Sequence, residues 1–229
     1  MRLLAGDIGG TKTLLRLGET EERFESAAYP TFDALVAEFL GVVRASGAPP
    51  AQGAPEARTT PSVDAACFAV AGPVADGRAT VTNVGWEIDA AALSRELSIP
   101  HVSLINDFYA VALGVPLLED GDLVSLHAGE RDRRAPIAIL GAGTGLGEAY
   151  VINGKDVVPS EGGHADFAPQ DEEQARLFLH LHEQLGHVSW ERVVSGMGLV
   201  NIFTFLGGAA GLQPADISQL ADEGDPRAN

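Results

Sequence analysis

The chain has 229 residues, enough to bury a substantial core in one large domain or two smaller ones. Hydrophobic residues make up 45% and charged residues 21%, a globular balance, and the formal net charge of -17 argues against a nucleic-acid or anionic-membrane surface. A lone cysteine, Cys67, allows neither a disulfide within the chain nor a cysteine-based zinc cluster. The N-terminal MRLLAGDIGG lacks a signal-peptide pattern and no apolar run reaches spanning length, so a soluble cytoplasmic protein is expected.

Taken in chain order, strands are expected around 3–5, 13–17 and 23–28. Helical spacing of Phe32, Leu35, Val36, Phe39, Leu40 and Val43 predicts a helix capped by Thr31. A Pro-, Gly- and Ala-rich loop follows from Ser46 to Ser62. Residues 65–70 form a strand, Asp89 starts a helix to about Leu97, and a strand at 101–105 ends at Asn106-Asp107 with a helix to Leu113. Strands are expected at 123–126 and 137–140, and helices at 171–185 and 190–206. An internal repeat pairs LLAGDIGGTKTLLRL with AILGAGTGLGEAYVI, Asp7 opposite Gly141 and Gly9 opposite Gly143. It predicts two hairpins and a duplicated α/β unit, the second copy incomplete.

GDIGGTKT (Gly6–Thr13) and GAGTGLG (Gly141–Gly147) suit phosphate, because glycine turns point backbone amides inward with no Cβ in the way. Asp7, placed among apolar strand residues, is then a candidate Mg²⁺ ligand through water. The rival is a pair of ordinary hairpin turns. The G-x-G-x-x-G pattern fails at Leu146 and Glu148, and the P-loop pattern fails because Thr11 precedes Lys12.

Asn106-Asp107 closes an apolar strand, where α/β folds bind ligands; a carboxylate there can take a proton from an alcohol. The plainer possibility is a helix cap. Glu161 and His164, in PSEGGHADFAP, suit sugar hydroxyls; a metal on His164 and Asp166 lacks a convincing third ligand, and a simple loop pair is the bland alternative. Glu191 near a helix start would by itself only favour the helix dipole. His180, His182 and His187 read as surface or packing residues.

GDIGGTKT, TNVGW, LINDF, GAGTGLG, SEGGHADFAP and ERVVSGMGL occur in the order and spacing of the bacterial ATP-dependent glucokinases, which the chain resembles over nearly its whole length. They belong to the sugar-kinase and actin superfamily; the zinc-type relatives' cysteine cluster is missing. The resemblance implies an α/β chain of two ribonuclease H-like (actin-like ATPase) domains around a cleft. A small domain would span 1–116, and a large one 117–229 would lack its C-terminal part. It implies ATP, Mg²⁺ and glucose as ligands, with Asp107 as catalytic base. Asn83, Asn106, Asp107, Glu161, His164 and Glu191 become sugar ligands. Gly6, Asp7, Ile8, Gly9, Gly10 and Thr11, with Gly141, Gly143, Thr144 and Gly145, become the nucleotide-binding residues. The expected activity is transfer of the ATP γ-phosphoryl group to the glucose 6-hydroxyl. A non-catalytic sugar sensor or a kinase for another hexose are the alternatives. No nucleic-acid or membrane partner is expected, and the oligomeric state is open, a homodimer being one option.

Overall fold

The computed structural model describes residues 1–46, 63–127, 129–130, 132 and 134–228. Apart from Ser46, the expected loop from Ser46 to Ser62 lies outside the described residues. Two compact units emerge, 1–111 and 112–229.

The first unit is built on a five-stranded sheet ordered β3-β2-β1-β4-β8. Its members are β1 (Leu3–Ile8), β2 (Lys12–Leu17), β3 (Thr20–Glu25), β4 (Ala65–Val70) and β8 (His101–Asn106). The first three form an antiparallel meander, and β4 and β8 add parallel to β1. Parallel pairing places Ile8, Val70 and Asn106 in one row at the strand ends. Alternation sends Leu4 and Ile8, Leu15 and Leu17, and Ala66, Phe68 and Val70 into the core. Helix α1 (Phe32–Ser46) supplies Leu35, Val36 and Phe39 to the same core, and the Phe32 ring meets Phe68 edge-on at 4.9 Å. Thr31 caps α1 through its Oγ1, which accepts from the Ala34 N–H at 3.4 Å.

A second, three-stranded sheet joins β5 (Val74–Ala75), β6 (Arg78–Val81) and β7 (Trp86–Asp89). Sequence patterning misses it, since strands of two to four residues carry too little alternation to register. Asp89 then caps α2 (Ala90–Glu96), its carboxylate accepting from the Ala92 N–H at 2.9 Å. Helix α3 (Asp107–Gly114) follows β8 directly.

The second unit contains an antiparallel sheet ordered β11-β10-β9, from β9 (Ile137–Ala142), β10 (Leu146–Ile152) and β11 (Asp156–Ser160). Helices α4 (Glu172–Leu185), α5 (Gly196–Phe205) and α6 (Pro214–Asp222) complete it, with Phe167, Leu177, Leu181, Val188 and Val193 as a small core. Among the described residues no helix is long and apolar enough to cross a membrane.

Three expected elements differ. The segment 123–126 is not a strand: among the described residues no strand pairs with it, and Leu123, Val124 and Leu126 are exposed. The third strand ends at Glu25, and Ser26–Ala28 turns as a 3₁₀ helix. The expected helix over 190–206 is broken. Residues Trp190–Arg192 make a 3₁₀ turn, and α5 starts afresh because the Ser195 hydroxyl caps it, accepting from the Gly198 N–H at 3.0 Å.

Gly6 lets β1 lie close to the core. A Cβ there would sit 2.7 Å from both Leu15 Cδ2 and Phe68 Cδ1. Gly6→Ala is therefore expected to lower the unfolding free energy by about 1–3 kcal/mol, read from urea denaturation; an unchanged midpoint would contradict this packing.

Candidate active site

The repeated hairpins are real, and the alignment of Gly9 with Gly143 survives in three dimensions. Each turn opens on the aligned glycine but the two differ in length: four residues, 9–12, separate paired Ile8 and Thr13, and three, 143–145, separate paired Ala142 and Leu146. Gly6, Asp7 and Ile8 lie within β1, and Gly141 lies within β9 opposite Gly147, so the turns are shorter than the motifs. In the first turn the Gly9 N–H donates to Lys12 O at 3.0 Å; in the second the Gly143 N–H donates to Gly145 O at 2.9 Å.

Within the first unit the candidate residues gather at the carboxyl ends of β1, β4 and β8, the usual ligand edge of a parallel sheet. Asn83, in the β6–β7 turn, packs against Gly10; a Cβ on Gly10 would lie 2.6 Å from Asn83 Cβ. Asn106 does three things. Its Oδ1 accepts from the Tyr109 N–H at 3.1 Å and starts α3. Its Nδ2 donates to Gly72 O at 3.1 Å and to Asp107 Oδ1 at 2.9 Å. Asp107 Oδ1 also accepts from the Phe108 N–H at 2.9 Å, which leaves Oδ2 outside both bonds.

Burial raises the Asp107 pKa above the ordinary carboxylate value. Hydrogen bonds from Phe108 and Asn106 pull it back, and the negative charge of Asp7 adds to the rise. Asp7 is not a core residue, as its apolar flanks suggest; it points to the exposed face of the sheet, between Leu4 and Ile8 turning inward. Two carboxylates that feel one another are a fair setting for a divalent cation. Among the described residues no three metal-ligating side chains cluster. Lys12 is exposed and lies 4.0 Å from Glu25.

Within the second unit Glu161, His164 and Glu191 come together. His164 Nε2 is 3.7 Å from Glu161 Oε2, and its Nδ1 is 3.9 Å from Glu191 Oε1. Glu191 also reaches the glycine turn: its Oε2 accepts from the Leu146 N–H at 2.9 Å and leaves no room for a Cβ on Gly145. A short bridge between Asp166 and Ser189 docks the two loops that carry these side chains. Phe167 N–H donates to Val188 O at 2.9 Å, Trp190 N–H to Ala165 O at 3.0 Å, and His187 Nε2 lies 2.7 Å from Asp166 Oδ1. His182 stacks on Phe178 at 5.6 Å, and His180 lies beside Gln184.

Sequence reasoning missed the groups that hold the turns. Gly143 O accepts from the Gly196 N–H at 2.8 Å, at the start of α5. Gly9 O accepts from Ser26 Oγ at 2.8 Å, and Ser26 Oγ lies 3.0 Å from Thr13 Oγ1. The available signal was a threonine on the buried face of β2.

The family model Glucokinase matches residues 4–229. The glucokinase of a Nostoc species is 45% identical over 219 residues, covering 89% of this chain and 60% of that protein. The chain thus spans less than two thirds of that relative's length. A glucokinase structure from an Antarctic psychrotroph has a TM-score of 0.76 at 29% identity, over 99% of this chain and 72% of the other. The glucokinase of Balamuthia mandrillaris in complex with glucose shares the fold, with a TM-score of 0.69 at 24% identity over 99% and 71% of the two chains. By profile and by identity, the chain belongs to the glucokinase family.

Proposed function

We propose that the chain carries the phosphoryl-transfer chemistry of a glucokinase, moving the ATP γ-phosphoryl group to the 6-hydroxyl of glucose and giving glucose 6-phosphate and ADP. The observation that carries this reading is Asp107: a half-buried carboxylate at a strand end, one oxygen clamped by Asn106 and Phe108, the other outside those bonds. Burial raises its pKa, which makes the carboxylate a better proton acceptor.

In this reading Oδ2 of Asp107 accepts the proton as the sugar oxygen attacks phosphorus. Asn106 fixes the carboxylate plane. Glu161, His164 and Glu191, and in the first unit Asn83, are the proposed partners of the remaining sugar hydroxyls, and an acceptor left unpaired by a wrong epimer costs binding. The Gly9–Thr11 and Gly143–Gly145 turns, with Gly6, Ile8 and Gly141 in the strands behind them, present amides to the phosphates. Mg²⁺ near Asp7 would neutralise phosphate charge. Positioning and charge stabilisation are most of what phosphoryl transfer asks of a protein. Such an enzyme works in the cytoplasm, where ATP is abundant. Family membership and the glucose-bound relative of the same fold support the choice of sugar.

Glucose-dependent ADP release with Mg²⁺ tests the reading. If neither this chain nor one extended to the relatives' length releases ADP, the proposal is wrong. Asp107→Asn is expected to cut kcat about 10²–10⁴-fold while glucose affinity stays within about tenfold. Glu161→Gln should instead raise the glucose KM more than it lowers kcat; the opposite division would exchange the two roles.

The Asp107 pKa also has a stability consequence. Native Asp107 binds its proton more tightly than it does in the unfolded chain, so wild-type stability falls as pH rises through the native value. Asp107→Asn keeps an oxygen for Asn106 and Phe108 but removes the charge. Its thermal midpoint should match wild type near pH 4 and equal or exceed it at about pH 7. A variant less stable at neutral pH would show that the charge is held favourably.

A further inference from the structure

We infer that Ser26, backed by Thr13, is a positioning residue for the Gly9–Thr11 turn; the inference rests on the reading of that turn as a phosphate site. Ser26 follows β3 and Thr13 lies in β2, and both are fully buried. Buried hydroxyls need partners, and these find them in the turn. Ser26 Oγ donates its one proton to Gly9 O at 2.8 Å. Thr13 Oγ1 is then the donor in its 3.0 Å contact with Ser26 Oγ. The Ser26 N–H donates to Thr11 O at 2.9 Å.

A trans peptide sets the C=O of one residue antiparallel to the N–H of the next. Holding Gly9 O toward Ser26 therefore turns the Gly10 N–H the other way, and holding Thr11 O fixes the next plane but one. Among the described residues no acceptor is shown for the Gly10 N–H. Adjacent glycines at 9 and 10 make rotation of that peptide easy, so something outside the turn has to choose its direction.

The second hairpin points to the same requirement. Gly143 stands where Gly9 stands, and its carbonyl is held by the Gly196 N–H at 2.8 Å. There a helix start supplies the donor. In the first unit a side-chain hydroxyl supplies it, which makes that turn sensitive to a single substitution.

Steady-state kinetics on the whole chain, with ATP and glucose varied separately, test this. Ser26→Ala should raise the ATP KM about tenfold and lower kcat, with the glucose KM within about twofold. Thr13→Val should act in the same direction more weakly, and Thr13→Ser should recover most of the loss. Thermal midpoints are measured alongside, at an assay temperature well below all of them. If the midpoints drop but the ratio of ATP KM to glucose KM stays at the wild-type value, the residues are only structural and the inference fails. If Ser26→Ala does not fold, the Thr13 pair decides: equal ATP KM for Val and Ser overturns it. A wild type that never phosphorylates glucose, even at the relatives' length, removes the reading of the turn and this inference with it.

Discussion

The arrangement rests on where two carbonyl oxygens point. Gly9 O and Gly143 O occupy matching places in two hairpins, and each accepts a hydrogen bond from outside its own turn. Because peptide planes are rigid, fixing those oxygens fixes the amides that follow them. A glycine-rich turn is otherwise a poor anion site, since its own freedom has to be lost when ligand binds. Preorganised amides avoid that loss, and they let an acidic chain hold phosphate without clustered Lys or Arg.

The remaining chemistry is local in the same way. The strand-end row of Ile8, Val70 and Asn106 sets Asn106 beside Gly72, and Asn106 in turn holds Asp107. One amide side chain thus starts a helix, ties down a loop and orients the proposed base. In the second unit Glu191 plays a comparable double part. It meets the Leu146 N–H at the edge of the glycine turn and approaches His164 with its other oxygen. The proposed sugar ligands and the proposed phosphate turn are thereby joined through Glu191 within that unit.

Much of this was legible in the sequence. The pattern around Phe32–Val43 marked α1, Asp89 and Asp171 marked the starts of α2 and α4, and both hairpins fall where the repeat put them, each turn opening on its aligned glycine, with the returning strands offset by one residue. What escaped depended on partners far along the chain. Ser26 meets Gly9 only because β3 folds back on β2, and nothing local to Ser26 announces it. The strand expected at 123–126 had suitable residues but, among the described residues, no strand beside it, and propensity does not supply a partner. The break before α5 came from Ser195, whose hydroxyl cap outweighed the apolar periodicity across 190–206. Asp7 has apolar neighbours in sequence, but alternation places it on the exposed side of β1.

The most direct measurement is an amide NMR titration of the glucose-saturated protein with a nonhydrolysable ATP analogue and Mg²⁺. The account predicts large shifts at the backbone amides of Gly10, Thr11, Gly143 and Thr144, with smaller ones elsewhere in the two sheets. Saturable binding of the analogue that leaves all four amides unmoved would contradict it.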